Sequence, residues 1–228
     1  MKNKMIKEYT RIQNGLFAKV SLENNFKMEE ILRIAGVDIA YWEEKGFHYG
    51  TCCIVVINFR TKIVIEQSTS NGEITVPYIP GFLAFRELPL VMEAVEKLTM
   101  DPDLYMFDGN GYLHYRHMGL ATHASFYLNK PTIGVAKNYL KIENTPFVMP
   151  ENETGAFTDI RIGQEIYGRV LRTAKDVKPI FVSSGNWIDL ATSTEVVMAC
   201  INENSRLPIP VRLADIETRL ARRNLISK

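Results

Sequence analysis

The chain is short of cysteine, has no apolar run long enough to cross a bilayer, and carries no surplus of either charge. Three cysteines, Cys52, Cys53 and Cys200, occur in 228 residues. Cys52 and Cys53 are adjacent, so on a strand they point to opposite faces, which suits neither a bridge between them nor a shared ion. An odd count without CxxC spacing points to reduced thiols. The longest apolar run, Cys52–Ile57, falls far short of the ~20 residues of a membrane-spanning helix. The basic start, Met1 to Lys7, leads into Glu8 and Arg11 rather than into the apolar stretch of a signal peptide. The expectation is a cytoplasmic protein without a membrane partner. With 27 basic and 26 acidic side chains the net charge is +1, which excludes polyanion binding by bulk charge. No HExxH and no Cys/His cluster is present, which disfavours zinc. Repeats, low-complexity tracts and linkers are missing too, so residues 1–228 are expected to form one domain around one core.

What is there is an alternation of strand and helix patterns. Residues 6–20 have helical apolar spacing. Ile31–Tyr41, Thr51–Phe59 and Lys62–Gln67 read as three strands, the last two joined by a short Asn58–Thr61 connection. A loop punctuated by Pro77, Pro80 and Gly81 precedes a helix from Phe82 to Leu98, and Pro89 within it predicts a late start or a kink. Leu104–Phe107, Thr132–Val135, Ile166–Leu171 and Pro179–Val182 are further strands. Helices are expected over Met118–Leu128, Asp189–Asn202 and Pro210–Arg223. This order predicts an α/β fold of the ribonuclease H-like kind: a mixed central sheet, an antiparallel three-strand meander extended by parallel strands, flanked by helices.

The residues with chemistry sit at strand ends. Asp38 closes the apolar run Ile34–Val37, and Asp108 closes Tyr105–Phe107. At adjacent C-terminal strand edges the two carboxylates repel unless a divalent cation lies between them. Glu87, early in the following helix, is within reach of the same edge, or else partners Arg86. Read singly, each is also a plausible strand-end or surface acid. Together they suit Mg²⁺, which takes oxygen ligands and retains several waters or substrate phosphates, and such a site suits phosphodiester hydrolysis. His114, six positions after Asp108 in a glycine-rich loop, is placed to position a water or meet a phosphate. Lys137, after Thr132–Ala136, is a point charge for a phosphate or oxyanion. His48, in a loop, His117 and His123 read as structural. Tyr78 stands between Pro77 and Pro80 on a stiff protrusion of the kind that opens base steps, although capping of a helix start explains it equally well. Gly81, Gly109 and Gly111 permit close backbone approach. Beyond Arg206, basic residues outnumber acids, which fits either a phosphate-facing helix or a solvated one.

Five segments in order, Val37–Tyr41, Pro77–Glu87, Asp108–His114, Gly134–Lys137 and Arg212–Asp215, resemble the successive motifs of the endonuclease V family, deoxyinosine-directed 3′ endonucleases. The resemblance runs from about Ala35 to Arg219. It implies a ribonuclease H-like fold and Mg²⁺, with Mn²⁺ able to substitute. It also implies DNA containing deoxyinosine as substrate, cut on the 3′ side of the lesion, one nucleotide removed, to leave 3′-hydroxyl and 5′-phosphate ends in DNA repair. Carried over by position, Asp38, Asp108 and Glu87 are the acidic set, and Asp215 stands near the metals. His114 and Lys137 act at the scissile phosphate, and Tyr78 with Pro77 and Ile79 forms a strand-separating wedge. Gly81, Leu83, Gly109, Gly111 and Ala136 surround the flipped base. Two alternatives remain: an endonuclease for inosine in RNA, and a catalytically weak module that binds deaminated bases. The chain departs from the family pattern at Tyr115, where a proline is usual, and at Asn186, where a histidine is usual.

Overall fold

The structure, a computed structural model, describes residues 2–202 and 205–227. Its elements are α1 (Lys2–Phe17), β1 (Arg33–Glu44), β2 (Phe47–Asn58), β3 (Val64–Glu73), α2 (Leu83–Glu96), β4 (Leu104–Asp108) and α3 (Leu120–Leu128). They continue with β5 (Thr132–Ala136), β6 (Phe157–Ile162), β7 (Glu165–Leu171), β8 (Ile180–Asn186), α4 (Leu190–Ala199) and α5 (Ile209–Ile226). The eight strands form one sheet in the order β3-β2-β1-β4-β5-β8-β7-β6. The expected meander is β1 to β3, and β4 and β5 extend it in parallel. Beyond β5 the sheet continues antiparallel through β8, β7 and β6.

Apolar side chains leave both faces of the central strands. Ile34, Val55, Met106 and Val135 pack on one face with Val196 and Val197 of α4 and Val211 and Ala214 of α5. Ala35, Val37, Ile54 and Phe107 pack on the other with Val91 of α2 and Ala121 of α3. Removing such side chains from water is worth roughly 1.5–3 kcal/mol each, so these two layers fix the strand ends against helices on either side. The seat of α5 is tight. A Cβ on Gly36 would lie 2.1 Å from the Pro210 carbonyl carbon, so β1 and the start of α5 meet only because residue 36 has no side chain.

Several boundaries differ from expectation, each for a local reason. α1 ends at Phe17 instead of residue 20, because the amides of Lys19 and Val20 bond back three residues and tighten the last turn. β1 and β2 run on to a two-residue turn at Lys45 and Gly46, both with positive φ, the backbone of a type I′ hairpin. His48 therefore lies on β2 and not in a loop. α2 starts at Leu83 and continues through Pro89. Asp189 stands outside α4 as its N-cap, its side chain accepting from the Thr192 amide. β6 was not expected at all. Among the described residues, no helix is long and apolar enough to cross a membrane.

Candidate active site

Parallel pairing puts the two key carboxylates side by side. Val37 is opposite Phe107 in the β1–β4 ladder, so Asp38 and Asp108 lie side by side. Asp108 ends β4 as expected, whereas Asp38 stands midway along β1, which runs on to Glu44 in its hairpin with β2. Asp215 arrives from α5, and ligand oxygens of Asp38, Asp108 and Asp215 lie within 4.8 Å of one another. Lys137, one residue past β5, reaches Asp108 at 2.5 Å and Asp215 at 2.8 Å. Arg219 pairs with Asp215 at 2.7 Å. The Thr218 hydroxyl donates to Asp38 at 2.6 Å. These groups line an open cleft of about 380 Å³ together with Tyr41 and Arg222.

Electrostatics at this edge favour a cation. Burial raises the Asp38 carboxyl to about 7 against the Thr218 bond, and the charges of Asp108 and Asp215 add to the rise. Burial pulls the Lys137 amine down, but its bonds to Asp108 and Asp215 outweigh this and leave it raised. Lys137 and Arg219 together face Asp108 and Asp215, while among the described residues Asp38 is bonded only to the Thr218 hydroxyl. The donors are all oxygen, without thiolate or imidazole, which is the set preferred by a hard divalent ion such as Mg²⁺ or Mn²⁺. The residues fit such an ion.

Glu87 stands behind this cluster. It is buried in α2, and the Tyr41 hydroxyl donates to its carboxylate. Burial pushes it to about 8 against that bond, with Asp38 and Asp108 raising it further. It meets Asp38 and Asp108 across a recess of about 30 Å³ that Leu120 closes. Arg86, the partner considered for Glu87, donates to the Val76 carbonyl instead. Neither Tyr41 as the partner of Glu87 nor Thr218 as the partner of Asp38 is readable from the chain. Both pairings cross the sheet–helix interface, where spacing along the chain carries no signal.

A second cleft, about 180 Å³, adjoins the first along Asp108–Gly109 and shares Leu120 with the recess. Tyr78, Gly81, Leu83, Gly109, His114, Tyr115 and Met118 line it. Tyr78 is 65% exposed at its rim. His114 belongs to this cleft and lies outside the lining of the carboxylate cleft. Burial and the neighbouring Arg116 push its ring down to about 3, so it is neutral, and its Nδ1 accepts from the Arg116 amide at 3.2 Å. Pro77 is exposed beside Tyr78, whereas Ile79 turns inward, 5% exposed, and anchors the loop without offering a face to a ligand. Ala136 packs among Leu113, Ile142 and Phe181. The Gly111 amide donates to the Ser183 hydroxyl, and the residue is buried. Neither Ala136 nor Gly111 lines the second cleft, because β5 and β8 enclose them. Asn186, a departure from the family pattern, is buried and donates to Ser125 while accepting from the Ser21 amide, so it braces the fold away from both clefts.

A family model described as endonuclease V matches residues 14–216. The chain belongs to the endonuclease V family. The endonuclease V of Bacillus thuringiensis subsp. konkukian is 67% identical over 223 residues, 98% of this chain and 95% of that protein. The crystal structure of Bacillus subtilis endonuclease V matches with a TM-score of 0.94 at 56% identity, covering 97% of this chain and 93% of that one. Endonuclease V of Ciona intestinalis matches with a TM-score of 0.87 at 25% identity over 99% of this chain and 100% of that one. It was solved in complex with a 23mer DNA containing an inosine followed by a ribo-adenosine. The chain is accordingly an endonuclease, and its mixed sheet is of the ribonuclease H-like kind.

Proposed function

We propose that this endonuclease acts on deoxyinosine in DNA and hydrolyses a phosphodiester on the 3′ side of the lesion, one nucleotide removed, with Mg²⁺ or Mn²⁺ at the carboxylates. The products are 3′-hydroxyl and 5′-phosphate ends, and the role is DNA repair in the cytoplasm, carried out by one domain spanning the chain. The observation that carries the reading is the adjacency of the two clefts: an all-oxygen acidic cluster beside a narrow pocket rimmed by an exposed tyrosine. The Ciona relative bound to inosine-containing DNA supports the same substrate class.

Asp38, Asp108 and Asp215 would hold the metal, with Glu87 close behind them. Bound there, a divalent ion lowers the pKa of the attacking water and offsets charge on the phosphate. The chain's own groups do the rest. Thr218 holds Asp38 by its hydroxyl, and the Tyr41–Glu87 pair holds the floor of the recess. Lys137 supplies an ammonium that meets phosphate oxygens once substrate competes for it. Tyr78 with Pro77 wedges the strand, stacking on the neighbouring base. The flipped hypoxanthine is read in the second cleft by backbone groups near Gly81, Leu83 and Gly109, with neutral His114 as a hydrogen-bonding wall.

Paired single-turnover assays on matched single strands carrying deoxyinosine, inosine in RNA, or neither, each with Mg²⁺ or with chelator, test the reading. Metal-dependent cutting of the deoxyinosine strand at the second phosphodiester is expected. Cutting of RNA alone would replace the DNA reading with the ribonuclease one. Lesion binding without any cutting would leave a recognition module.

A further inference from the structure

Neither cleft accounts for α1. Among its described residues Gln13 alone is buried, 1% exposed. Surface helices normally seat through an apolar stripe; here Met5, Ile6, Ile12 and Leu16 are half-buried, and the side chain that goes in fully is an amide. Gln13 Nε2 donates to the Gly81 carbonyl at 3.1 Å and to the Met118 carbonyl at 3.4 Å. Its Oε1 accepts from Arg116 Nε at 2.6 Å. Arg116 has donors only, so it fixes which way the amide points. A second nitrogen of Arg116 donates to the same Gly81 carbonyl at 2.7 Å, and its guanidinium lies 4.2 Å over the Phe82 ring.

The contacts one turn to either side continue the pattern. Tyr9 stacks on Phe85 at 3.9 Å, and Phe17 stacks on His117 at 5.1 Å. Tyr9, Gln13 and Phe17 share one helix face by their i, i+4, i+8 spacing. Through them α1 touches the start of α2 and the segment carrying His114 and Arg116. These two segments are the walls of the second cleft. Gly81, with φ +81°, turns the chain from the Tyr78 loop toward α2, and its carbonyl is the point where Gln13 and Arg116 converge. The family model begins at residue 14, so Gln13 lies outside it.

We propose that Gln13 is a positioning residue for base discrimination: it straps α1 across the second cleft and holds the Tyr78 loop and the His114–Arg116 segment at a fixed spacing. It touches no substrate and acts through the Gly81 carbonyl and Arg116. The proposal rests on the reading of that cleft as the base pocket.

Two variants test it. Gln13→Met keeps the length and loses every hydrogen bond. Gln13→Glu keeps the acceptor toward Arg116 and loses the donors. For Gln13→Met, affinity for a deoxyinosine single strand is expected to weaken about tenfold, the scale of lost hydrogen bonds involving a charged partner. Affinity for the same strand without deoxyinosine is unchanged, and kcat at saturation stays within about twofold. Gln13→Glu recovers part of the loss. Amide exchange over residues 78–84 and 114–118 speeds up in Gln13→Met while β1 and β4 stay protected. Wild-type exchange together with wild-type lesion affinity overturns the proposal, and so does an equal loss for both strands. If the wild-type protein itself does not distinguish the strands, the base-pocket reading fails. The exchange experiment still decides whether Gln13 holds the two segments. Should Gln13→Met not fold, the nearly isosteric Gln13→Glu carries the same comparisons.

Discussion

The two clefts are made of different material. In the carboxylate cleft, Asp38, Asp108 and Lys137 stand on or just past paired strands, with α5 closing over them through Asp215 and Thr218. In the second cleft, Tyr78, Gly81, His114 and Tyr115 stand on loops, and their spacing depends on side chains from a helix outside the sheet. Strand-mounted groups hold charge at fixed separation without help; loop-mounted groups adapt to a ligand and need bracing. Under the proposed function, chemistry falls to the first cleft and recognition to the second, and that division breaks in identifiable ways.

The largest expected effect comes from the first cleft. Asp108→Asn leaves the fold and lesion binding nearly intact, because the amide is isosteric, but lowers the single-turnover cleavage rate by at least about 10³-fold. Next comes Tyr78→Ala. Stacking of a base on an aromatic ring is worth ~1–3 kcal/mol, so deoxyinosine affinity falls by roughly tenfold or more while the rate at saturation changes little. Thr218→Val sharpens the comparison from the side of α5. It removes the only hydroxyl bonded to the Asp38 carboxylate among the described contacts. Supporting bonds to a ligand tune metal affinity by ~10–100-fold, so the Mg²⁺ concentration for half-maximal cleavage rises within that range, whereas lesion affinity stays put.

The smallest expected effect is one of pH and metal on stability. Burial holds Asp38 at about 7 and Glu87 at about 8, above the values these groups have in an unfolded chain. From about pH 4 to pH 8 the metal-free folded chain therefore keeps protons that the unfolded chain has released. Their contribution is full at acid pH and is lost as pH rises through 7 and 8. Burial holds the rings of His114 and His123 at about 3 and about 4, and these work the other way up to about pH 6.5. Melting temperature without metal should therefore fall between about pH 6.5 and pH 8. Added Mg²⁺ should raise it more at pH 8 than at pH 6, since the ion binds the ionised carboxylates of the folded state. A melting temperature indifferent to Mg²⁺ at pH 8 would argue against the acidic cluster as the metal site.

How much of this was legible in the sequence follows the same division. Asp38 and Asp108 each end a short apolar run, and parallel neighbours bring such ends together, so the pair was readable from pattern. Asp215 was not: it lies in a helix more than a hundred residues further on, and only the family resemblance singled it out. Thr218 and Gln13 read as polar residues of solvated helices, because a hydrogen bond across an interface leaves no periodicity. The Ile79 wedge and the Ala136 and Gly111 pocket walls follow from motif position, whereas in the fold Ile79 is buried, Ala136 packs against Leu113 and Phe181, and the Gly111 amide bonds Ser183. β6 was missed because Asp159 and Arg161 interrupt its apolar residues, and its edge position exposes Phe157 and Arg161 to solvent. The long β1–β2 hairpin was shortened because Glu43, Glu44 and Lys45 are poor strand signals next to the turn that Gly46 completes.

The most direct test measures both quantities in one titration: affinity for a deoxyinosine strand without metal, then single-turnover cleavage after Mg²⁺ is added, for wild type, Asp108→Asn and Tyr78→Ala. The account predicts a crossed pattern, with Asp108→Asn binding like wild type and failing to cut, and Tyr78→Ala binding weakly yet cutting at a near-normal rate once saturated. Two variants that lose binding and cleavage in equal proportion would contradict it.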